Sequence, residues 1–154
     1  MHDIPYQDIF TCPENQNQAI CVTTNGVIKN NNNAVMGRGL ALEIDNRFHI
    51  AKKLAEHIKT NGNIPCDFGL VDSAGQKYRL LSFPTTNHWR DPSDINLIAN
   101  SAKILVELAD KLKLEKIYTV RPGCGLGHLD YETQVRPIIS KILDDRFYII
   151  ANPR

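Results

Sequence analysis

The stretch KIYTVRPGCGLGHLD, residues 116–130, contains the pattern that decides the fold. Residues 116–120 are rich in β-branched and aromatic side chains, which is typical of a buried strand. A glycine-rich segment follows at residues 121–129, and Asp130 is placed to cap a helix that we predict over residues 131–143. A strand, a glycine-rich loop and a helix in this order indicate an α/β fold.

The rest of the chain repeats this alternation of strands and helices. Further strands are predicted over Gln18–Thr24 and over residues 68–71, 77–81 and 147–151. Apolar residues at helical spacing predict one helix or two over residues 38–59. A long helix is predicted after DPSD, residues 91–94, read as an N-cap, a first-turn proline and an acidic first turn. The alternation predicts a mostly parallel sheet, and the hairpin formed by residues 68–81 makes the sheet mixed.

Length and composition restrict the class of protein. The 154 residues suit one domain covering residues 1–154, and contents of 42% hydrophobic and 23% charged residues are those of a globular protein. The longest apolar run, residues 147–151, is far shorter than the roughly 20 residues that cross a bilayer. The N-terminal residues do not resemble a secretory signal, so we expect a cytoplasmic protein without a membrane partner.

Charge and cysteine spacing exclude further classes of site. Lysine and arginine number 18 against 17 acidic residues, which argues against nucleic-acid binding dominated by phosphate neutralisation. None of the four cysteines forms a C-x-x-C pair, so zinc-ribbon and thioredoxin-type sites do not fit, and free thiols are expected. Neither a metal nor a cofactor is predicted.

Two glycine-rich segments are the candidate ligand-binding elements. VMGRGLA, residues 35–41, leads into a predicted helix, and PGCGLG, residues 122–127, joins a strand to a helix. We call them the first and the second glycine loop. In open α/β sheets, ligands bind beyond the carboxyl ends of the strands, where loop amides and helix N-termini attract anions. The two loops together therefore predict a site for a diphosphate, although either loop alone is more typical of a tight turn.

The order of these motifs resembles that of a macro domain, the ADP-ribose-binding module. The resemblance rests on QDIF at residues 7–10, AICVTTN at 19–25, VMGRGLAL at 35–42 and PGCGLGHLDY at 122–131. It spans most of the chain, and its two glycine loops are the most specific motifs. It implies a three-layer α/β/α macro domain with a mixed, mostly parallel sheet.

The resemblance also implies which residues contact the ligand. Asp8 and Ile9 would contact the adenine, and Asn25 the distal ribose. The diphosphate would lie between the two glycine loops, against Met36, Gly37, Arg38, Gly39, Gly123, Cys124, Gly125, Leu126 and Gly127. Tyr148 or Asn152 would border the adenine, with no basis for choosing between them.

The segment FPTTNHWR, residues 83–90, is similar to the branch that holds ADP-ribosyl glycohydrolases and ADP-ribose-1″-phosphate phosphatases. Thr86 occupies the position where the hydrolases of that branch usually carry lysine, so a lysine-dependent mechanism does not transfer. Gly127 occupies the position of an acidic residue in some of these glycohydrolases. Asn25, His88 and His128 remain as candidate catalytic residues, because an amide or a neutral imidazole can position a water molecule.

Several alternatives remain open at this point. The domain either hydrolyses an ADP-ribosyl bond or ADP-ribose-1″-phosphate, or it is a non-catalytic reader or scavenger of ADP-ribose. The partner would be ADP-ribose or an ADP-ribosylated substrate, with nucleic acid only if it is ADP-ribosylated. A nicotinamide-dependent oxidoreductase fits less well, because residues 59–63 lack the acidic residue expected about 20 positions after a glycine loop. Trp89 is expected to pack its segment rather than to contact a ligand.

Overall fold

One mixed sheet forms the centre of the fold in the computed structural model, which describes residues 1–153. Its strands in that range are β1 His2–Ile4, β2 Gln18–Thr24, β3 Asp67–Ser73, β4 Gln76–Pro84, β5 Lys116–Val120 and β6 Phe147–Ile150. Their order across the sheet is β1-β6-β5-β2-β4-β3. Neighbouring strands pair in parallel except β3 and β4, which form an antiparallel hairpin. The predicted mixed, mostly parallel sheet is confirmed.

Helices cover both faces of this sheet. They are α1 Leu40–Phe48, α2 Ala51–Asn61, α3 Ile95–Leu112 and α4 Arg136–Ile139, with a 3₁₀ turn at Ile9–Thr11 and a π-helical turn at Tyr131–Val135. Side chains alternate between the two faces along a strand. Ile20 and Val22 of β2 pack in one apolar cluster with Ile44 and Leu54 of α1 and α2. Their neighbours in β2 join the opposite cluster with α3 and α4, which gives the predicted three layers.

The region predicted as one helix or two, residues 38–59, forms two. Helix α1 ends at Phe48, and its C-cap His49 has a left-handed backbone with a φ of 55°. Helix α2 begins at Ala51, whose amide donates to the side chain of Asp45 over 2.9 Å. The chain therefore leaves one helix at its C-cap and begins the next two residues later, so the two helices are not continuous.

The start of α3 differs from the prediction. Asp94, not Asp91, is the N-cap, and its carboxylate accepts from the amides of Asn96 and Leu97. Pro92 therefore lies before the helix rather than in its first turn. The amide of Ser93 donates to the Gly127 carbonyl at 3.0 Å, so this segment is part of a tertiary contact instead.

The predicted final helix over residues 131–143 is shorter and less regular. Asp130 caps it as expected, accepting from the Thr133 amide at 2.9 Å. The first turn is π-helical, however, and α4 ends at Ile139. Pro137 explains the wide turn, because proline has no amide hydrogen and its ring crowds the preceding turn. Among the described residues, no helix combines the length and the apolar character needed to cross a bilayer.

Strand β1 was not predicted, because three residues give no useful periodicity. It lies at the sheet edge and pairs with β6 from His2–Tyr148 to Ile4–Ile150. The Asp3 side chain also fixes β1 to the last helical segment, because its carboxylate accepts from the Tyr131 hydroxyl and from Arg136 Nε. At the opposite edge, the register of β3 shifts between Asp67 and Gly69.

Replacing Asp3 with asparagine is expected to lower the free energy of unfolding by about 2 kcal/mol, the value of hydrogen bonds to a charged group. Burial raises the pKa of Asp3, but the bonds from Tyr131 and Arg136 outweigh it, so the pKa lies below the ordinary 3.8. This stabilisation is therefore present above pH 3.8 and is lost as the pH falls through the lowered pKa. Urea unfolding at a series of pH values should show a shallower acid decline in the variant. An unchanged pH dependence would contradict this role.

Candidate functional site

A cavity of about 550 Å³ opens at the carboxyl ends of the central strands. Its walls include Thr24 at the end of β2, Thr85 after β4, Val120 at the end of β5 and Ile150 at the end of β6. Both its size and its position are those of ligand sites in α/β proteins.

Strand order sets the length of the cavity. Neighbouring strands lie about 4.8 Å apart, so β6 and β4, which are separated by β5 and β2, are about 14 Å apart. We call the two ends of the cavity the β6 end and the β4 end. Such a length suits an extended ligand with distinct groups at its two ends.

The first glycine loop forms one wall of the cavity. Met36, Gly37, Arg38 and Gly39 line it, and Gly39 is the N-cap of α1. Gly37 and Gly39 have φ angles of 62° and 78°, a conformation that residues with a side chain rarely adopt. The loop therefore brings backbone amides and a helix N-terminus to the cavity.

The second glycine loop also lines the cavity, through Gly123, Gly125, Leu126 and Gly127. Gly123 has a φ of 76°, and a Cβ atom there would lie 2.9 Å from the Cβ of Ser93. The two sequence-distant glycine loops thus face one cavity, as the diphosphate hypothesis requires.

Ser93 explains why residue 127 is glycine in this chain. A Cβ atom on Gly127 would point at the Ser93 hydroxyl and would lie 2.6 Å from the Gly123 carbonyl oxygen. The side-chain direction at position 127 is therefore filled by protein, and a carboxylate placed there would not reach the cavity without moving the loop.

Asp8 and Ile9 lie at the β6 end of the cavity, together with Asn152. One carboxylate oxygen of Asp8 caps the 3₁₀ turn by accepting from the Phe10 amide at 3.0 Å, and the other has no such role. Of the two residues expected to border the adenine, Asn152 lines the cavity. Tyr148 stacks against His2 and Tyr118 instead.

Asn25 lines the cavity and also fixes the first glycine loop. Its side-chain nitrogen donates to the Val35 carbonyl at 3.0 Å, and its side-chain oxygen accepts from the Val27 amide at 2.9 Å. The second hydrogen on the nitrogen is not used by these contacts. Asn25 is therefore a loop anchor with one donor left for a ligand.

Thr86, in place of the lysine, lines the cavity at the β4 end. Its hydroxyl donates to the His88 carbonyl at 2.7 Å and accepts from the His88 amide at 3.2 Å. The Thr86 carbonyl in turn accepts from Asn63 on the neighbouring loop at 3.1 Å. The hydroxyl is thus part of a local turn and is not available as a nucleophile.

His88, His128 and Cys124 are not among the described residues that line the cavity. Nδ1 of His88 accepts from the Arg90 amide at 3.1 Å, and the ring stacks against Trp89. His128 is exposed, with a φ of 63°. The contacts of His88 are those of a residue that orders its loop.

Cys124 is poorly suited to nucleophilic catalysis. Burial raises the pKa of its thiol to about 11, and Sγ donates to the Pro122 carbonyl at 3.3 Å. A thiol with this pKa is almost entirely protonated at neutral pH, whereas reactive cysteines have lowered pKa values.

Two cavity-lining residues carry a buried polar atom that has no hydrogen-bond partner within residues 1–153. They are Thr24, through its hydroxyl, and Arg121, through Nε. Buried polar groups without partners are rare in folded proteins. Their presence here indicates that the site has donors in reserve for a ligand or for water.

The sequence did not point to Trp89 and Asp91 as cavity residues, but both line the β4 end. Trp89 stacks against His88 of its own segment, as expected, but its exposed fraction is 51%, so part of the ring is also open to the cavity. Among the other carboxylates of the cavity wall, Glu43 pairs with Arg47 at 3.4 Å and Asp8 caps a turn. Asp91 has no ion pair within residues 1–153.

Acidic residues, histidines and cysteines do not cluster in a way that would hold a metal ion anywhere in residues 1–153. The charged and amide side chains that line the cavity are those of two arginines, three carboxylates and residues such as Asn25 and Asn152.

Comparison with known proteins adds curated and structural relatives, although no family model matches the chain. Two curated proteins named DNA ADP-ribosyl glycohydrolase, from Mycobacterium bovis and Mycobacterium tuberculosis, are each 28% identical over 109 residues. The match covers 69% of this chain and 31% of each relative. The chain thus spans about a third of the length of the curated relatives that it matches.

Solved structures match over nearly the whole chain. Thermosipho africanus DarTG in complex with ADP-ribose has a TM-score of 0.71 at 25% identity, covering 88% of this chain and 38% of that one. The macrodomains of Thermus aquaticus DarG and Mycobacterium tuberculosis DarG each have a TM-score of 0.69, at 21% and 22% identity. They cover 99% and 98% of this chain and 99% of their own chains. This agreement over nearly the whole chain, together with the sheet order, shows that the chain has the macrodomain fold.

Proposed function

We propose that this domain binds ADP-ribose, with the adenine at the β6 end and the distal ribose at the β4 end of the cavity. The observation that carries the proposal is the convergence of the two glycine loops on one cavity. Gly37, Gly39 and Gly123 line this cavity and have positive φ angles, a conformation with which backbone amides can form a nest for phosphate oxygens.

The polar groups at the two ends support this orientation. Asp8 has a carboxylate oxygen free to accept from an exocyclic amine, and Asn152 lies beside it. Asn25 and the Thr24 hydroxyl can bond to ribose hydroxyls farther along. The DarTG structure that this chain resembles holds ADP-ribose.

Isothermal titration calorimetry with ADP-ribose tests the proposal directly. We expect a dissociation constant in about the micromolar range, corresponding to about 8 kcal/mol. AMP and ribose 5-phosphate each fill only one end of the cavity and should bind at least about tenfold more weakly. Absence of heat with ADP-ribose at about millimolar concentration would refute the function, and tighter binding of NADH would favour the oxidoreductase.

A second candidate function is hydrolysis of an ADP-ribosyl bond on nucleic acid. It is favoured by the similarity over 109 residues to proteins named DNA ADP-ribosyl glycohydrolase. Because Thr86 offers no amine, water would have to be activated by another group. Asp91 joins Asn25, His88 and His128 as a candidate, and it lines the β4 end, where the anomeric carbon would lie.

Turnover separates an enzyme from a reader of ADP-ribose. NMR should follow the release of ADP-ribose from an ADP-ribosylated oligonucleotide and peptide, and the release of phosphate from ADP-ribose-1″-phosphate. We expect hydrolysis of the oligonucleotide conjugate. No turnover of any of the three, with ADP-ribose binding intact, would indicate a reader or scavenger.

A further inference from the structure

Three consecutive side chains form a stack at the β4 end of the cavity. The rings of His88 and Trp89 are stacked, with centroids 5.5 Å apart and an interplanar angle of 26°. The guanidinium carbon of Arg90 lies 4.7 Å from the centroid of the Trp89 ring. Trp89 is 51% exposed and lines the cavity, so a large apolar surface borders the opening.

Hydrogen bonds within the same segment hold the residues of this stack in place. The Arg90 amide donates to the His88 ring, and the His88 carbonyl accepts from the Thr86 hydroxyl and the Asp91 amide. Trp89 is therefore presented on a fixed turn. Arg90 makes no ion pair within the described part of the chain, so its side chain can leave the ring.

The position of the stack at the β4 end indicates which part of a bound substrate it would contact. With the adenine at the β6 end, the anomeric carbon of the distal ribose lies at the β4 end, and whatever is attached to that carbon leaves the cavity there. Trp89 is then beside the first group beyond the ADP-ribosyl unit. Aromatic side chains flanked by arginine are the usual platforms for unpaired nucleobases.

We propose that Trp89 stacks on a nucleobase of a single-stranded nucleic acid whose ADP-ribosyl group fills the cavity, while Arg90 turns to a neighbouring phosphate. This proposal rests on the proposed ADP-ribose binding. It agrees with the net charge of +1, because it needs one stacked base and one phosphate contact rather than a basic surface. Trp89 thereby distinguishes nucleic-acid conjugates from free ADP-ribose.

Trp89 is the only tryptophan in the chain, so its fluorescence reports on the stack without labelling. The ligands are ADP-ribose, an oligonucleotide of about five nucleotides with an ADP-ribosyl group in a hydrolysis-resistant linkage, and a peptide conjugate of similar length. We expect the oligonucleotide conjugate alone to quench the fluorescence strongly. It should bind about tenfold more tightly than ADP-ribose, in line with the strength of base stacking.

Calorimetry on variants separates stacking from general damage. Trp89→Ala should weaken binding of the oligonucleotide conjugate about tenfold more than it weakens binding of free ADP-ribose, while Trp89→Phe retains most of the gain. Arg90→Gln should remove about one phosphate contact, seen as a loss of about 0.7 from the slope of log affinity against log salt. Leu70→Ala, at a similarly exposed residue on β3, should change neither affinity.

Two results would overturn the assignment of Trp89. One is that both Trp89→Ala and Trp89→Phe lose as much affinity for free ADP-ribose as for the oligonucleotide conjugate. The other is a peptide conjugate that gains as much affinity as the oligonucleotide conjugate, which would indicate a protein substrate. Failure of the wild-type protein to bind free ADP-ribose would instead refute the proposed function itself, so the two failures are distinguishable.

Discussion

Replacing Gly127 with alanine is expected to weaken ADP-ribose binding at least about a hundredfold, the loss caused by removing one or two backbone hydrogen bonds to a charged phosphate. The added Cβ would lie 2.6 Å from the Gly123 carbonyl oxygen, a backbone atom that cannot move alone. Ser93 closes the other side, since its amide holds the Gly127 carbonyl at 3.0 Å. The whole second glycine loop must therefore shift.

Calorimetry and thermal unfolding together test this expectation. Gly125→Ala is the matched control, because it adds the same methyl group two positions earlier, where no atom lies within 4 Å. It should leave the midpoint of unfolding unchanged, whereas Gly127→Ala lowers it. Wild-type affinity in a folded Gly127→Ala protein would show that the position of this loop is unimportant for binding.

Asp91→Asn is expected to lower turnover of an ADP-ribosylated oligonucleotide at least about a hundredfold without changing ADP-ribose affinity, if the domain is a hydrolase. General bases contribute about 10²- to 10⁴-fold to catalysis. In the step considered, a water oxygen bonds to the anomeric carbon as the bond to the leaving group breaks. Asp91 takes a proton from the water, and the leaving group departs with the bonding electrons and is protonated by solvent.

Asp94→Asn is the control for this variant. Asp94 belongs to the same segment and caps α3, and asparagine is as good an N-cap as aspartate. It should keep both turnover and stability. Undiminished single-turnover rates in Asp91→Asn would exclude Asp91 as the base and would return attention to Asn25, His88 and His128.

The central strands and the glycine loops were predictable because their patterns are local. Strands β2 and β5 are both rich in β-branched residues. A turn follows β2, and a glycine-rich segment follows β5. Strand β1 was missed because its three residues are fixed by pairing with β6 and by bonds from Tyr131 and Arg136. Those contacts join opposite ends of the chain and leave no local signal.

The cavity was predictable in outline but not in its detail at the β4 end. Motif order brought Asp8, Asn25 and the two loops together. The start of α3 was misjudged because Ser93 and Asp94 use their amides for tertiary contacts with Gly127 and Thr85. That error concealed the loop that presents Trp89 and Asp91, since both were read as helix-start or packing residues.

The shifted register of β3 affects the tendency of the protein to aggregate in concentrated solution. An unpaired sheet edge invites strand addition from a second chain, which is a common start of aggregation. Here the irregularity between Asp67 and Gly69 interrupts the row of free amides and carbonyls, and the acidic Asp72 is exposed on the same strand. The apolar Leu70 on this edge is therefore kept from templating an intermolecular sheet.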